Sequence, residues 1–216
     1  PDNEFAKIVK FLNSILNISQ QDLKYTYFDD SKAVEAIKNN EIENLKNYIL
    51  LLESKRETIF NYLNKYSDDE LNNEYILNKW TINQNLYHLW LAEFSTEKYI
   101  KKKTSYPEYL KNVTFLTRFN HIFTKYLIRL DILKFKAPEI ISKFPDEINI
   151  NLLNNNWIKL RESFLSLIDD LDDSIIEKGI FNHRVIGRIN LRMTIDFFNF
   201  HFNHHVKKIN KISILI

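Results

Sequence analysis

The chain has no cysteine. Disulfides, thiolate metal ligands and a cysteine nucleophile are therefore all excluded. Glycine is nearly absent, with 2 residues in 216, and proline occurs only 4 times. Folds built on tight β-turns need frequent Gly and Pro, so this scarcity argues for long helices joined by polar connections. No apolar run approaches the ~18 residues of a membrane span. The opening PDNEFAKIVKFL lacks the basic start and long apolar stretch of a secretory signal. These absences lead to the expectation of a cytoplasmic protein with no membrane partner. The chain opens on Pro1 rather than Met, which reads as trimming or processing. Charge of one sign is not in excess either. A net charge of +2 and a pI near 8.6 are too balanced to indicate nucleic acid. The clusters Lys101–Lys103 and Lys207, Lys208, Lys211 fall where helices should end and complement the helix dipole, so no nucleic-acid partner is expected.

Apolar and aromatic residues are abundant, with 16 Phe and 11 Tyr, and their spacing is helical. Ile8, Phe11, Leu12, Ile15 and Leu16 predict a short N-terminal helix over residues 5–17. Residues 18–39 are less periodic and are expected to pack as an extension. Over residues 41–66, Ile42, Leu45, Ile49, Leu52, Arg56, Ile59 and Leu63 follow steps of three and four. This is the stripe of a bundle helix with one polar member. Arg56 is expected at a bundle end with its head in water, since a buried guanidinium would need a carboxylate or several acceptors. The next helix should start at Thr81, which stands at capping-box spacing from Gln84, and run to about Lys103. It is apolar nearly all round except along Thr81, Asn85, His88, Ala92, Ser95 and Tyr99, a stripe that faces either water or an interior site. Residues 113–132 form a further expected helix. Pro138 and Pro145 mark residues 133–150 as loop, and Leu153, Trp157, Leu160, Phe164, Leu167 and Leu171 mark another bundle helix. A polar segment with Gly179 and Gly187 leads to the last helix, over about 190–212. The expected architecture is all-α: a four-helix bundle over residues 41–216, preceded by an N-terminal helical extension over residues 1–40.

The chemistry resides in histidine. His201 and His205 stand four apart in FFNFHFNHHVKKI and point to one side of a helix. A third imidazole from another helix, His88, would complete a three-ligand metal site with an open fourth position, the catalytic rather than structural arrangement. Such a pair by itself is often a packing or surface feature, but two imidazoles on one very apolar helix need more explanation. His204 lies about 60° from His201 and about 100° from His205, on the opposite side, so His205 converges better. His204 is left as a rim, supporting or exposed residue. His121 is expected to be structural. His183 reads as a turn residue that could line the mouth of a pocket. The HExxH pattern of zinc peptidases is missing, because Phe202 follows His201. Asp196 and Glu93 point away from the histidines by helical phase, so no general base is assigned.

Two stretches resemble a known family. KWTINQNLYHLWLAE, with Trp80, Thr81, Leu86, His88 and Leu89, resembles the second-helix signature of the DinB-like proteins. FNHRVIGRINLRMTIDFFNFHFNHHVKKI, with His183, Gly187, Phe198, His201, His205 and Ile209, resembles their last-helix signature. The resemblance extends from about residue 41 to the end. It implies a four-helix bundle with a divalent metal ion (Zn, Ni or Fe) held by His88, His201 and His205. It also implies a metal-dependent hydrolase acting on a small-molecule substrate, or a transferase using a low-molecular-weight thiol such as bacillithiol or mycothiol. Family members often form homodimers. Arg184 stands where a proline commonly follows the equivalent of His183, which bears on the pocket rim rather than on the ligands. The reading from a different class is a non-catalytic bundle that binds a metal or a small molecule.

Overall fold

The apolar stripes fold into long helices in the computed structural model, which describes residues 41–129 and 143–216. The extension expected over residues 1–40 lies outside the described residues. Four helices make the bundle: α1 (Glu41–Leu63), α3 (Ile82–Thr104), α5 (Ile150–Asp169) and α7 (Leu191–Ser213). Between them come a short α2 (Asp68–Asn72), α4 (Phe115–Arg129) and the single turn α6 (Asp173–Ile176). Helix α3 packs on both α5 and α7, and α4 packs on α7. Side-chain bonds join α1 to its neighbours: Lys55 reaches Asn199 at 2.7 Å and Lys46 reaches Asp169 at 2.9 Å. Among the described residues no helix is long and apolar enough to cross a membrane.

The stripes face inward as their spacing requires. Leu45, Ile49, Leu52, Ile59 and Leu63 of α1 are buried, as are Leu153, Trp157, Leu160, Phe164 and Leu167 of α5. Aromatic edges tie three helices together: Phe60 meets Trp157 at 6.0 Å, Trp157 meets Phe202 at 6.1 Å, and Phe164 meets Phe198 at 5.6 Å. Each fully buried side chain of this size contributes about 1.5–3 kcal/mol.

Arg56 departs from expectation. It is buried rather than extended to water, and its guanidinium grips the carboxylate of Glu53 through Nε at 2.9 Å and NH2 at 2.6 Å. It also donates to Asn154 across the α1–α5 contact. A carboxylate three residues earlier on the same helix removed the need for the head to reach solvent. A second buried pair, Arg161 on α5 and Glu93 on α3, lies at 2.8 Å, and the Trp157 indole donates to the same carboxylate at 2.9 Å. Burial pushes the Glu93 carboxyl up and the Arg161 guanidinium down, against the attraction of each for the other.

The polar segment with Gly179 and Gly187 that leads to the last helix takes part in two small antiparallel ribbons. β1 (Lys111–Asn112) pairs with β2 (Lys178–Gly179), and β3 (Phe181–His183) pairs with β4 (Gly187–Ile189). Strands of two or three residues are too short to show an alternating pattern. Gly187 has φ +100°, a conformation that disfavours any side chain, and it pairs with His183 across the ribbon.

Removing one member of the Arg161–Glu93 pair leaves the other charge or carboxyl buried without its partner. Arg161→Met is therefore expected to destabilise by about 3–5 kcal/mol, and Glu93→Gln/Arg161→Met by much less. Urea unfolding of the three proteins checks this, and equal losses in the single and double variants would contradict it.

Candidate metal centre

The site is built where α3 crosses α7. Helix α3 begins with the predicted capping box: Gln84 N–H donates to Thr81 Oγ1 and Thr81 N–H donates to Gln84 Oε1, both at 3.1 Å. That start sets the phase of the helix, and the stripe Thr81, Asn85, His88 and Ala92 is buried. Of the two readings open in the sequence, the interior one is correct. Helix α7 is started by Asn190, whose side chain accepts from Met193 N–H at 2.9 Å. Its four-residue step then carries His201 and His205 to the same face.

The three imidazoles meet. A ligand atom from each of His88, His201 and His205 lies within 4.8 Å of the other two. Nε2 of His88 and Nε2 of His201 are 3.1 Å apart. His88 and His205 are buried and His201 is half-buried. The rings sit between aromatic faces. Trp80 lies parallel to His205 at 6.0 Å and contacts His88 at 4.9 Å, while Phe197 stacks on His201 at 5.1 Å. Phe144 closes on the edge of Trp80.

Asn85 sets the tautomer of His205. Its amide nitrogen donates to the carbonyl oxygens of Thr81 at 2.8 Å and Trp80 at 3.3 Å, so its oxygen is the atom facing His205 Nδ1 at 2.8 Å. Nδ1–H therefore donates to Asn85 Oδ1, and Nε2 keeps its lone pair. Burial, reinforced by the neighbouring imidazoles and Lys208, holds His201 and His205 well below the ordinary imidazole pKa. Neutral rings with inward lone pairs are the ligand state of histidine. Tetrahedral coordination at about 2.0–2.1 Å implies an N···N edge of about 3.3–3.4 Å. The 3.1 Å between His88 and His201 is close to that edge, so the donor set fits a divalent ion.

The other histidines separate clearly. His121 on α4 is buried and pairs with Asp196 at 2.8 Å, and Lys125 bonds the same carboxylate at 3.2 Å. Asp196 thus faces α4, away from His201, as its helical phase requires. His204 is half-buried beside His205, with ring centroids 5.4 Å apart. His183 closes the β3–β4 turn: its Nδ1 accepts from the N–H of Val185 and of Ile186, both at 3.2 Å. The residues that sequence reasoning underrated are Asn85 and Trp80. Asn85 stood three before His88 on the polar stripe, which was the available signal.

An open acidic cleft of about 630 Å³ is lined by Asp68, Asp69, Glu70 and Glu147 and contains none of these histidines.

A helical bundle with three converging imidazoles between two of its helices defines a class of protein rather than a reaction. The family profile of the DinB superfamily matches residues 51–209, and the chain belongs to that superfamily. Among solved structures it is similar to YfiT from Bacillus subtilis, described as "a probable metal-dependent hydrolase with an unusual four-helix bundle topology". The two are 15% identical, the match covers 79% of this chain and 86% of that one, and the TM-score is 0.53. At that identity the likeness establishes the bundle fold. No curated protein matches in sequence.

Burial, with a contribution from His121, lowers the His183 pKa to about 4. The unfolded ring titrates near ~6.5, so between these values the unfolded chain holds the extra proton. The stabilisation from this group is complete above the unfolded value and is lost at about 1.4 kcal/mol per pH unit as pH falls toward the folded one. His183→Asn should flatten the pH dependence of urea stability over that window by about one proton. An unchanged slope would contradict it.

Proposed function

We propose that this protein is a metal-dependent enzyme that hydrolyses a small molecule, with one divalent ion held by His88, His201 and His205. The observation that carries the reading is the convergence of three imidazoles from α3 and α7, within 4.8 Å of one another. Three protein ligands leave a coordination position for substrate or water, the arrangement of catalytic rather than structural sites. The similarity to YfiT, a protein described as a probable metal-dependent hydrolase, supports it. A bound divalent ion supplies Lewis acidity toward an oxygen of the substrate or of water.

The chain's own residues do the rest. Asn85 holds the His205 ring through Nδ1 and keeps Nε2 as the donor atom. Trp80 and Phe197 flank the rings, exclude water and offer an apolar surface to a small ligand. Ion identity follows from imidazole chemistry only as far as Zn, Ni or Fe.

One observation favours a second reading, transfer of a low-molecular-weight thiol to an electrophile. Among the described residues, the titratable groups that act on His201 and His205 are other histidines and Lys208, with no carboxylate among them. Hydrolysis gains from a nearby base, whereas a thiol ionises far more readily than water and needs less help.

Purified protein is expected to retain about one divalent ion per chain after gel filtration, with His88→Ala or His201→Ala near zero by elemental analysis. Full stoichiometry in the His88→Ala/His201→Ala double variant would reject the site. Asn85→Ala should weaken metal affinity about 10–100-fold, measured by chelator competition. A panel of small esters, amides and electrophiles, with and without thiol, separates the two reactions. Equal turnover in metal-stripped protein would reject metal dependence.

A further inference from the structure

We propose that His183 is a ligand-positioning residue of the three-histidine site. Its Nε2–H, held out by the β3–β4 turn, donates a hydrogen bond to an oxygen acceptor on the small molecule bound there. This rests on the metal reading above and adds to it the chemistry of the ligand.

The tautomer follows from geometry. Nδ1 of His183 accepts two backbone N–H groups, from Val185 and Ile186, so it cannot carry a proton of its own. A neutral ring then bears its proton on Nε2. That nitrogen has no hydrogen-bond partner among the described residues. The ring is half-buried, with its Nδ1 edge fixed by the turn. Holding the turn needs only the acceptor, which an Asn or Asp would supply through its side-chain oxygen. An imidazole adds a second nitrogen that the turn does not use.

The position of the ring connects His183 with the site through Phe197. His183 packs against Phe197 with ring centroids 4.5 Å apart, and Phe197 is the ring that stacks on His201 at 5.1 Å. Phe181, on the same strand, contacts both His183 and Tyr99, which extends the aromatic wall along α3. The ribbon is held in place behind: Gly187, opposite His183, lies against Thr117 of α4. The remaining histidine on that side, His121, is engaged by Asp196. Burial keeps His183 uncharged at neutral pH, so it offers a dipole rather than a cation. The ligand class is therefore a small molecule with a metal-binding atom at one end and a carbonyl or carboxylate oxygen a few bonds away.

Two thiols test this in cobalt-loaded protein: mercaptopropionate, which has such an oxygen, and propanethiol, which lacks it. The sulfur-to-cobalt charge-transfer band reports binding of each. Wild type should favour mercaptopropionate, and His183→Asn, which keeps the turn acceptor and shortens the donor, should lose about tenfold for mercaptopropionate alone. His183→Gln, which keeps a distal donor, should recover part of the preference. A purely structural His183 would change both thiols alike. In the wild type, nitrogen-15 spectra should show the proton on Nε2 of His183 and a shift with mercaptopropionate but not with propanethiol. Equal thiol affinities in wild type and His183→Asn, or an unmoved His183 signal, would overturn this proposal alone. Failure of the wild type to take up cobalt would overturn the metal reading and this one with it.

Discussion

The contact between α3 and α7 governs the rest of this structure, because it buries three imidazoles against one another. Such a cluster disfavours charge: burial against Trp80 and Phe197 strips a protonated ring of water, and a second proton would be repelled by the first. The downward pKa shifts of His201 and His205 are the thermodynamic expression of that constraint. Neutral rings then need partners for their nitrogens. Asn85 meets this need for His205, with its own amide group tied to the carbonyls of Trp80 and Thr81 that lead into α3. The orientation of an imidazole on α7 is thus traceable to the capping geometry of α3.

The bundle provides rigid placement without depending on the histidines. Its core is aromatic and aliphatic, and two buried arginines are neutralised by carboxylates rather than by water. The Glu93–Arg161 pair lies on the α3–α5 side, while His88 looks toward α7, so one helix supports a structural ion pair and the histidine cluster on different faces. Helix α4 adds a further layer against α7, where His121 and Lys125 hold Asp196. That carboxylate is thereby committed to packing and is turned from the imidazole cluster. Membership of the DinB superfamily and the likeness to the YfiT bundle agree with this architecture.

Much of the fold was legible in the chain because long helices declare themselves through a repeated stripe. The steps of α1 and α5, the Thr81–Gln84 box and the phase of Asp196 could all be read without coordinates. Arg56 was misread, since the same spacing fits a buried or a solvated guanidinium until Glu53 and Asn154 are seen to close on it. The ribbons around Gly179 and Gly187 were missed because strands of two or three residues leave no pattern. Asn85 was noted only as polar, and its bond spans 120 positions of sequence.

The chain by itself determined where helices begin, which of their faces are apolar, and that His201 and His205 share a side. All of these are local consequences of a 3.6-residue turn. Only the tertiary structure decided that His88 meets that pair, that Asn85 orients His205, and that His183 has one nitrogen bound in a turn. Those relations depend on how separate elements cross, and helical periodicity is silent on which stripe will lie against which.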